Sequence, residues 1–274
     1  MIVQALRLRR TQIGLALFLL VLGTALFGPF FAPANPTESI GVPFGTSPVS
    51  SFGLDNLGRD VLSRFLWGGR SVFWLTTAAT GLGLLFGATV GLVAAYSRTR
   101  LDDVLMRSMD VLLSFPQIIL TMVAVATVGP QLWLIVATVA LTTMPRVARV
   151  ARGSALDIVE RDFVRAAEAV GEPRWRILLG EVLPNITGPL AVEASLRYTY
   201  TIAVISGLSF LGFGLQPPAA DWGLMINENR IGLQQNPWGV VLPIIAIGVL
   251  TVGTGLIGDG FSRAIAGIDR GRSE

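Results

Sequence analysis

Six apolar runs, at about 11–31, 71–96, 110–129, 131–150, 186–215 and 240–262, dominate the chain and limit what it can fold into. A helix rises 1.5 Å per residue, so about 20 mostly apolar residues cross a hydrocarbon layer of ~30 Å. Each run is long enough. Charged residues make up only 14% of the chain, against about 25% in a soluble domain, and the mean hydropathy is +0.64. The expectation is an all-α, polytopic membrane protein with six transmembrane helices. Gly129-Pro130 is read as a tight turn between the third and fourth spans. The internal prolines Pro116, Pro145, Pro189 and Pro243 are tolerable because neighbouring helices re-satisfy the freed backbone groups.

Missing residue types exclude chemistry. The 274 residues contain no Cys and no His. That removes disulfides, thiolate nucleophiles, Cys-ligated clusters, Ser-His-Asp catalysis and the HExxH site. There is also no Lys; all 21 basic residues are Arg. A Walker A loop uses its Lys on the nucleotide phosphates, so this chain is not a P-loop ATPase by itself.

The arginines set an expected topology. With six spans and the N-terminus inside, sixteen arginines fall on the cytoplasmic side, including Arg7, Arg98, Arg146, Arg165, Arg176, Arg270 and Arg272. Four fall outside, Arg59, Arg64, Arg70 and Arg230, and Arg197 lies within the fifth span. This satisfies the positive-inside rule and puts both termini in the cytoplasm. It also accounts for the basic pI without nucleic acid. Arg7, Arg9 and Arg10 before the first run, and Ala32-Pro33-Ala34 after it, have the look of a signal peptide. The run is longer than the usual 7–15 residues of such a segment, so it is read as an uncleaved helix.

The segment 151–185 is the longest cytoplasmic loop. RGSALDIVERDFVRAAEAVG reads as a helix with Ser154 as N-cap, Asp157 in its first turn and Gly171 as the residue that ends it. Pro173 suits the first turn of a second helix, and Pro184 is expected to terminate that one. So many charges keep the hairpin in water. By itself it is either a solvated amphipathic connector or a knob offered to a partner.

RAAEAVGEPRWRILLGEVLPN resembles the EAA loop of binding-protein-dependent ABC importer permeases, with Ala166, Ala167, Gly171, Leu183 and Pro184 at the matching spacing. Two positions depart: Arg165 stands where the family has Glu, and Glu181 where it has Ile. GLDNLGRDVLSRFLWGGR (53–70), LSFLGFGLQPPAADWG (208–223) and GLIGDG (255–260) resemble segments of the shorter permease subunit of the dipeptide/oligopeptide/nickel importers, in the same order. The resemblance spans residues 5–270.

It implies a type I ABC importer permease architecture. An amino-terminal helix, outer loop and interfacial helix would occupy 1–70, a core permease domain with its coupling loop 71–265, and a cytoplasmic tail 266–274. Arg165, Ala166, Ala167, Glu168, Gly171, Leu183 and Pro184 would couple to an ATPase. The implied partners are a second permease in a heterodimer, two ATPase subunits that use ATP and Mg, an external substrate-binding protein and the bilayer. The implied place is the bacterial cytoplasmic (inner) membrane. No catalytic, cofactor-binding or metal residue is implied in this chain.

Physical reasons fit these roles. Small Ala166 and Ala167 admit close approach of another backbone, and Gly171 permits the sharp turn. Arg59, Asp60 and Arg64, with Asp221 and Trp222, form an outer interfacial motif. Asp60 there suits a helix N-terminus and is expected to pair with Arg64 at i+4; Trp67 is read as an aromatic anchor. The motif either anchors and sets register or touches substrate. Glu193 and Arg197 lie about 10 and 16 Å into the fifth span, where an unpaired charge costs around 2.5–3.5 kcal/mol. Their spacing lets them pair, either lining or gating a pathway or locking helices.

Rival classes fare worse. A rhomboid-type protease needs a His, and GLIGDG lacks the GxGD pattern of an aspartyl one. A secondary transporter or channel would show ionisable residues in several spans or repeat halves. Cargo stays open between peptides, nickel and other small solutes; the lack of His and Cys for a soft metal site favours peptides.

Overall fold

The computed structural model describes residues 6, 8–97 and 99–266. Arg7, Arg98, Arg270 and Arg272 of the topology count, and the tail beyond Ala266, lie outside them. The chain runs α1 (Arg9–Phe27), a 3-10 turn (Gly28–Phe31), a loop over 32–60, α2 (Val61–Ser97), α3 (Arg100–Leu113), α4 (Gln117–Val128) and α5 (Leu132–Val159). It continues through α6 (Asp162–Ala169), α7 (Arg174–Ile177), a π turn (Leu178–Val182), α8 (Leu183–Phe210), α9 (Trp222–Asn229) and α10 (Trp238–Ala266).

Among the described residues, four helices are long and apolar enough to cross a membrane: α1 with its 3-10 turn, α2, α5 and α10. The expected third span, 110–129, falls on a sharply bent pair of helices. α3 and α4 meet at 77°, and α4 alone, 12 residues or about 18 Å, falls short of the hydrocarbon layer. The break has a local cause. Pro116 disfavours helix at Phe115, and its own extended backbone (φ −60°, ψ 123°) starts α4 afresh. The expected fifth span is α8, long enough at 28 residues but interrupted by Glu193 and Arg197. What reads as an interfacial helix before the second span is the first part of α2 itself.

α5 overruns its expected end at 150. Ala148, Ala151, Ala155 and Val159 are buried along one stripe, the last three packing with Leu92 and Ala95 of α2, while Arg149, Asp157 and Glu160 face water. The apolar face continues past the point where the average turns polar, so the helix does too. Ser154 therefore sits inside α5 and caps nothing; the loop helix starts at Asp162.

The α2–α5 seam depends on glycine. A Cβ at Gly83 would stand 2.9 Å from the Thr143 Cβ, one at Gly87 2.6 Å from the Met144 carbonyl oxygen, and one at Gly91 would strike the Ala148 carbonyl. The spacing of four puts all three on one face, and small residues let backbones approach where lipid supplies no hydrophobic drive. Gly14 of α1 and Gly253 of α10 repeat the device, with a Gly14 Cβ only 2.7 Å from the Gly253 carbonyl oxygen.

Candidate functional site

At one end of the bundle α6 and α7 form the hairpin that the sequence marks. Val164, Ile177 and Val182 are fully buried against Leu92, Ala151, Ala155 and Ile186. The turn is closed by backbone alone: the Gly171 amide donates to the Glu168 carbonyl and the Glu172 amide to the Ala167 carbonyl, at 3.0 and 3.1 Å. This is the Schellman arrangement, with Gly171 at φ +80°, a conformation costing other residues about 1–2 kcal/mol. Gly171 ends the helix as expected.

The second helix does not end at Pro184. The chain passes from α7 through the π turn into α8, the Leu183 amide donating to the Leu178 carbonyl five residues back. A proline ring collides with the carbonyl four residues earlier; the wider turn opens the helix around that carbonyl, of Gly180. Pro173 caps α7 from outside rather than sitting in its first turn.

With three aliphatic side chains anchoring it, the hairpin turns much of its surface outward. Arg165, Ala166, Glu168, Gly171 and Pro184 are exposed; Ala167 and Leu183 are half-buried against the apolar cluster beneath. Phe163, Val170, Trp175 and Leu179, which sequence reasoning passed over, stand 43%, 81%, 60% and 55% exposed. The signal for them was available: apolar residues out of register with Val164 and Ile177 on helices this short.

Within the bundle, Glu193 Oε1 and Arg197 Nε lie 2.8 Å apart. The expected pair forms, and the Arg197 guanidinium also lies 5.0 Å from the Tyr200 ring centre. Glu193 borders a cleft of about 330 Å³ with Val150, Pro189, Val192, Ser262 and Ile265.

The opposite end corrects an expectation. Arg64 does not pair with Asp60. Its Nη1 meets Asp55 Oδ2 at 2.5 Å and Glu228 Oε2 at 2.6 Å, and Arg59 joins the same two carboxylates at 2.7 and 3.0 Å. Arg64 Nη2 also donates to the Ala219 carbonyl at 3.1 Å. Asp60 instead caps α2, accepting from the Ser63 amide (2.7 Å) and hydroxyl (2.6 Å) and from the Ser50 hydroxyl. Two cations and two carboxylates so balance out of water. Asn229 and Asn236 bind backbone of 52–56 and complete the attachment of the loop to the bundle.

Asp221 caps α9, accepting from the Leu224 amide at 3.0 Å and the Ser71 hydroxyl at 2.6 Å. Burial raises its carboxyl above the ordinary range, outweighing the hydrogen bonds that lower it. Trp222 is core rather than interface. It stacks on Phe65 at 5.6 Å, donates from Nε1 to the Phe65 carbonyl, and covers Gly68 and Gly69.

Comparison with known proteins gives four findings. Residues 83–267 match the family of binding-protein-dependent transport system inner membrane components. A putative peptide transport system permease protein of Brucella suis is 36% identical over 257 residues, covering 93% of this chain and 86% of that one. A di/tripeptide transport system permease protein of Pseudomonas aeruginosa is 34% identical, covering 92% and 86%. A solved structure of the MetNI methionine ABC transporter in inward-facing conformations aligns with TM-score 0.57 at 19% identity, covering 74% of this chain and 96% of that chain; it shares the fold.

Proposed function

The chain belongs to the family of binding-protein-dependent transport system inner membrane components, and from that premise we propose that it is one permease of an ATP-driven peptide importer. It forms the translocation pathway with a second permease and takes its drive from separate ATPase subunits, while an external binding protein delivers cargo. Both termini and the hairpin lie in the cytoplasm, and the 32–60 loop lies outside. Residues 71–265 form the permease core, with 1–70 as an amino-terminal addition. The peptide relatives favour peptides over nickel.

One observation carries the coupling role. The hairpin is fixed from beneath by buried Val164, Ile177 and Val182 yet presents Phe163, Val170, Trp175 and Leu179 to water. Exposed apolar side chains on a rigid, charge-rich projection are what a protein partner covers, and Trp is a common centre of binding energy. ATPase closure would move the hairpin, and the continuous run from α7 into α8 would carry that motion to Glu193 and Arg197 as a rigid body. With no Lys in the chain, ATP hydrolysis belongs to another subunit.

The test uses Ala166→Arg and Val170→Asp, whose side chains touch no core. Both variants should accumulate in the membrane normally while ATP-driven uptake of a labelled dipeptide and co-purification of the ATPase fall at least tenfold. Wild-type uptake in both would sink the assignment. Because the chain lacks Cys, Val42→Cys and Val170→Cys, 70% and 81% exposed, give unique tags. An impermeant thiol reagent should label the first in whole cells and the second only after lysis; the reverse would invert the topology.

A further inference from the structure

Beside the first turns of α2, at the end bearing the 32–60 loop, runs a cleft of about 810 Å³, within the range of small-molecule sites. Its walls are mostly apolar, carried by Pro29, Leu75, Leu132, Leu215, Trp67 and Trp74. A single cation, Arg70, lines it. The guanidinium lies 5.7 Å from the Trp67 ring centre and has no ion-pair partner among the described residues. No carboxylate lines the cleft. Asp221 is close by through Ser71, but it is fully buried and engaged with the Ser71 hydroxyl and the Leu224 amide.

Depth along the helices says what bathes this cleft. Counted back from Ser97 at 1.5 Å per residue, Trp74 lies about 34 Å and Arg70 about 40 Å along α2. A hydrocarbon layer of ~30 Å therefore ends just short of Trp74 and leaves Arg70 among headgroups. α1 agrees, since Arg9 to Phe27 spans about 27 Å, which brings Phe30 and Phe31 to the same boundary. Those two, with Trp74 and Trp133, are 81%, 77%, 59% and 62% exposed, an aromatic belt of the kind found where membrane meets water.

We propose that this cleft holds one phospholipid of the outer leaflet, with its phosphate on the Arg70 guanidinium and the glycerol end of an acyl chain against Leu75, Leu132 and Leu215. A guanidinium matches phosphate oxygens in a fork, and the Trp67 ring holds it in place by cation–π attraction. An uncompensated cation in a cleft without carboxylates selects an anionic headgroup. The inference rests on the orientation proposed above for the choice of leaflet, not for the lipid itself.

The test is native mass spectrometry of the purified transporter assembly with added phosphatidylglycerol. The wild type should retain one lipid, Arg70→Gln should bind it about fivefold more weakly, the effect of one arginine near an anionic surface, and Arg70→Lys, which keeps the charge but loses the fork, should fall between. Equal retention by Arg70→Gln overturns the proposal. So does displacement of the lipid by millimolar inorganic phosphate, which would make this a free-anion site. A raised KM for labelled dipeptide in Arg70→Gln with lipid retention unchanged would assign the arginine to substrate instead. Should Arg70→Gln fail to assemble, brominated phosphatidylglycerol on the wild type, Trp67→Phe and Trp74→Phe decides. Quenching by one equivalent of the brominated lipid, added in detergent, that shrinks in both variants supports the site. Absence of quenching in the wild type, or equal quenching in all three, removes it. Lipid retention is read without transport, so a failed peptide-uptake assay leaves this test intact.

Discussion

At the end bearing the 32–60 loop Asp55, Arg59, Arg64 and Glu228 sit together away from water and tie that loop to α9. At the hairpin end Val164, Ile177 and Val182 pin the hairpin, while Arg165, Glu168, Arg174 and Arg176 point into water. The same residue types therefore mean different things at the two ends. A charge that has left water must be matched, so the buried four specify where the loop docks. A solvated charge adds little to the fold and is left available for a partner. The buried cluster is a matter of stability, and the hairpin surface is the one proposed for coupling.

The largest test of that contrast is Arg64→Met. It leaves Asp55 and Glu228 to share Arg59 with one buried charge unmatched, and should cost about 3–5 kcal/mol, read as a lower thermal midpoint and reduced accumulation in the membrane. A wild-type midpoint would mean the cluster does not hold the loop. Next comes Ile177→Ala, which removes buried aliphatic volume and should cost about 2–4 kcal/mol. Proteolysis should then cut first within 160–182; cleavage starting elsewhere would show that the hairpin is not anchored there.

Asp221→Asn should be milder, under about 1 kcal/mol, because Asn caps helices as well as Asp. Its interest is in pH. A carboxyl whose pKa is raised on folding holds its proton more tightly in the folded state. Its favourable contribution is present below the unfolded value of about 3.9 and lost as pH rises through the folded value. The wild type should therefore lose stability over that window relative to Asp221→Asn, and parallel profiles would contradict the burial. Smallest of all is Arg149→Ala. Its pair with Asp110 is more than half exposed on both sides, and its loss should shift the midpoint by no more than an exposed pair gives, about 0–1 kcal/mol. A shift matching that of Arg64→Met would erase the distinction between the two ends.

Local relations were legible and distant ones were not. The Glu193–Arg197 pair follows from four residues on one helix, and Gly171 as the end of α6 follows from the backbone freedom its turn needs. The partners of Arg64 did not follow, since Glu228 lies 164 residues away and only a folded chain brings it near. Asp60 looked like the neighbour of choice, but the α2 amide of Ser63 and the Ser50 hydroxyl had a stronger hold on it. The bend at Pro116 was open to reading, because proline restrains the residue before it. An average over 110–129 hid it.

The sequence by itself determined the solvent, the number of apolar runs, the hairpin and the exclusion of a P-loop ATPase site from this chain. These follow from composition, from periodicity along one helix, and from residue types that are simply missing. Tertiary structure alone decided which charges are buried, how far α5 runs past its apolar stretch, and that Trp222 is core while Trp67 and Trp74 flank an open cleft. Burial is a property of what packs against a residue, and helix faces meet only after distant segments have closed on one another.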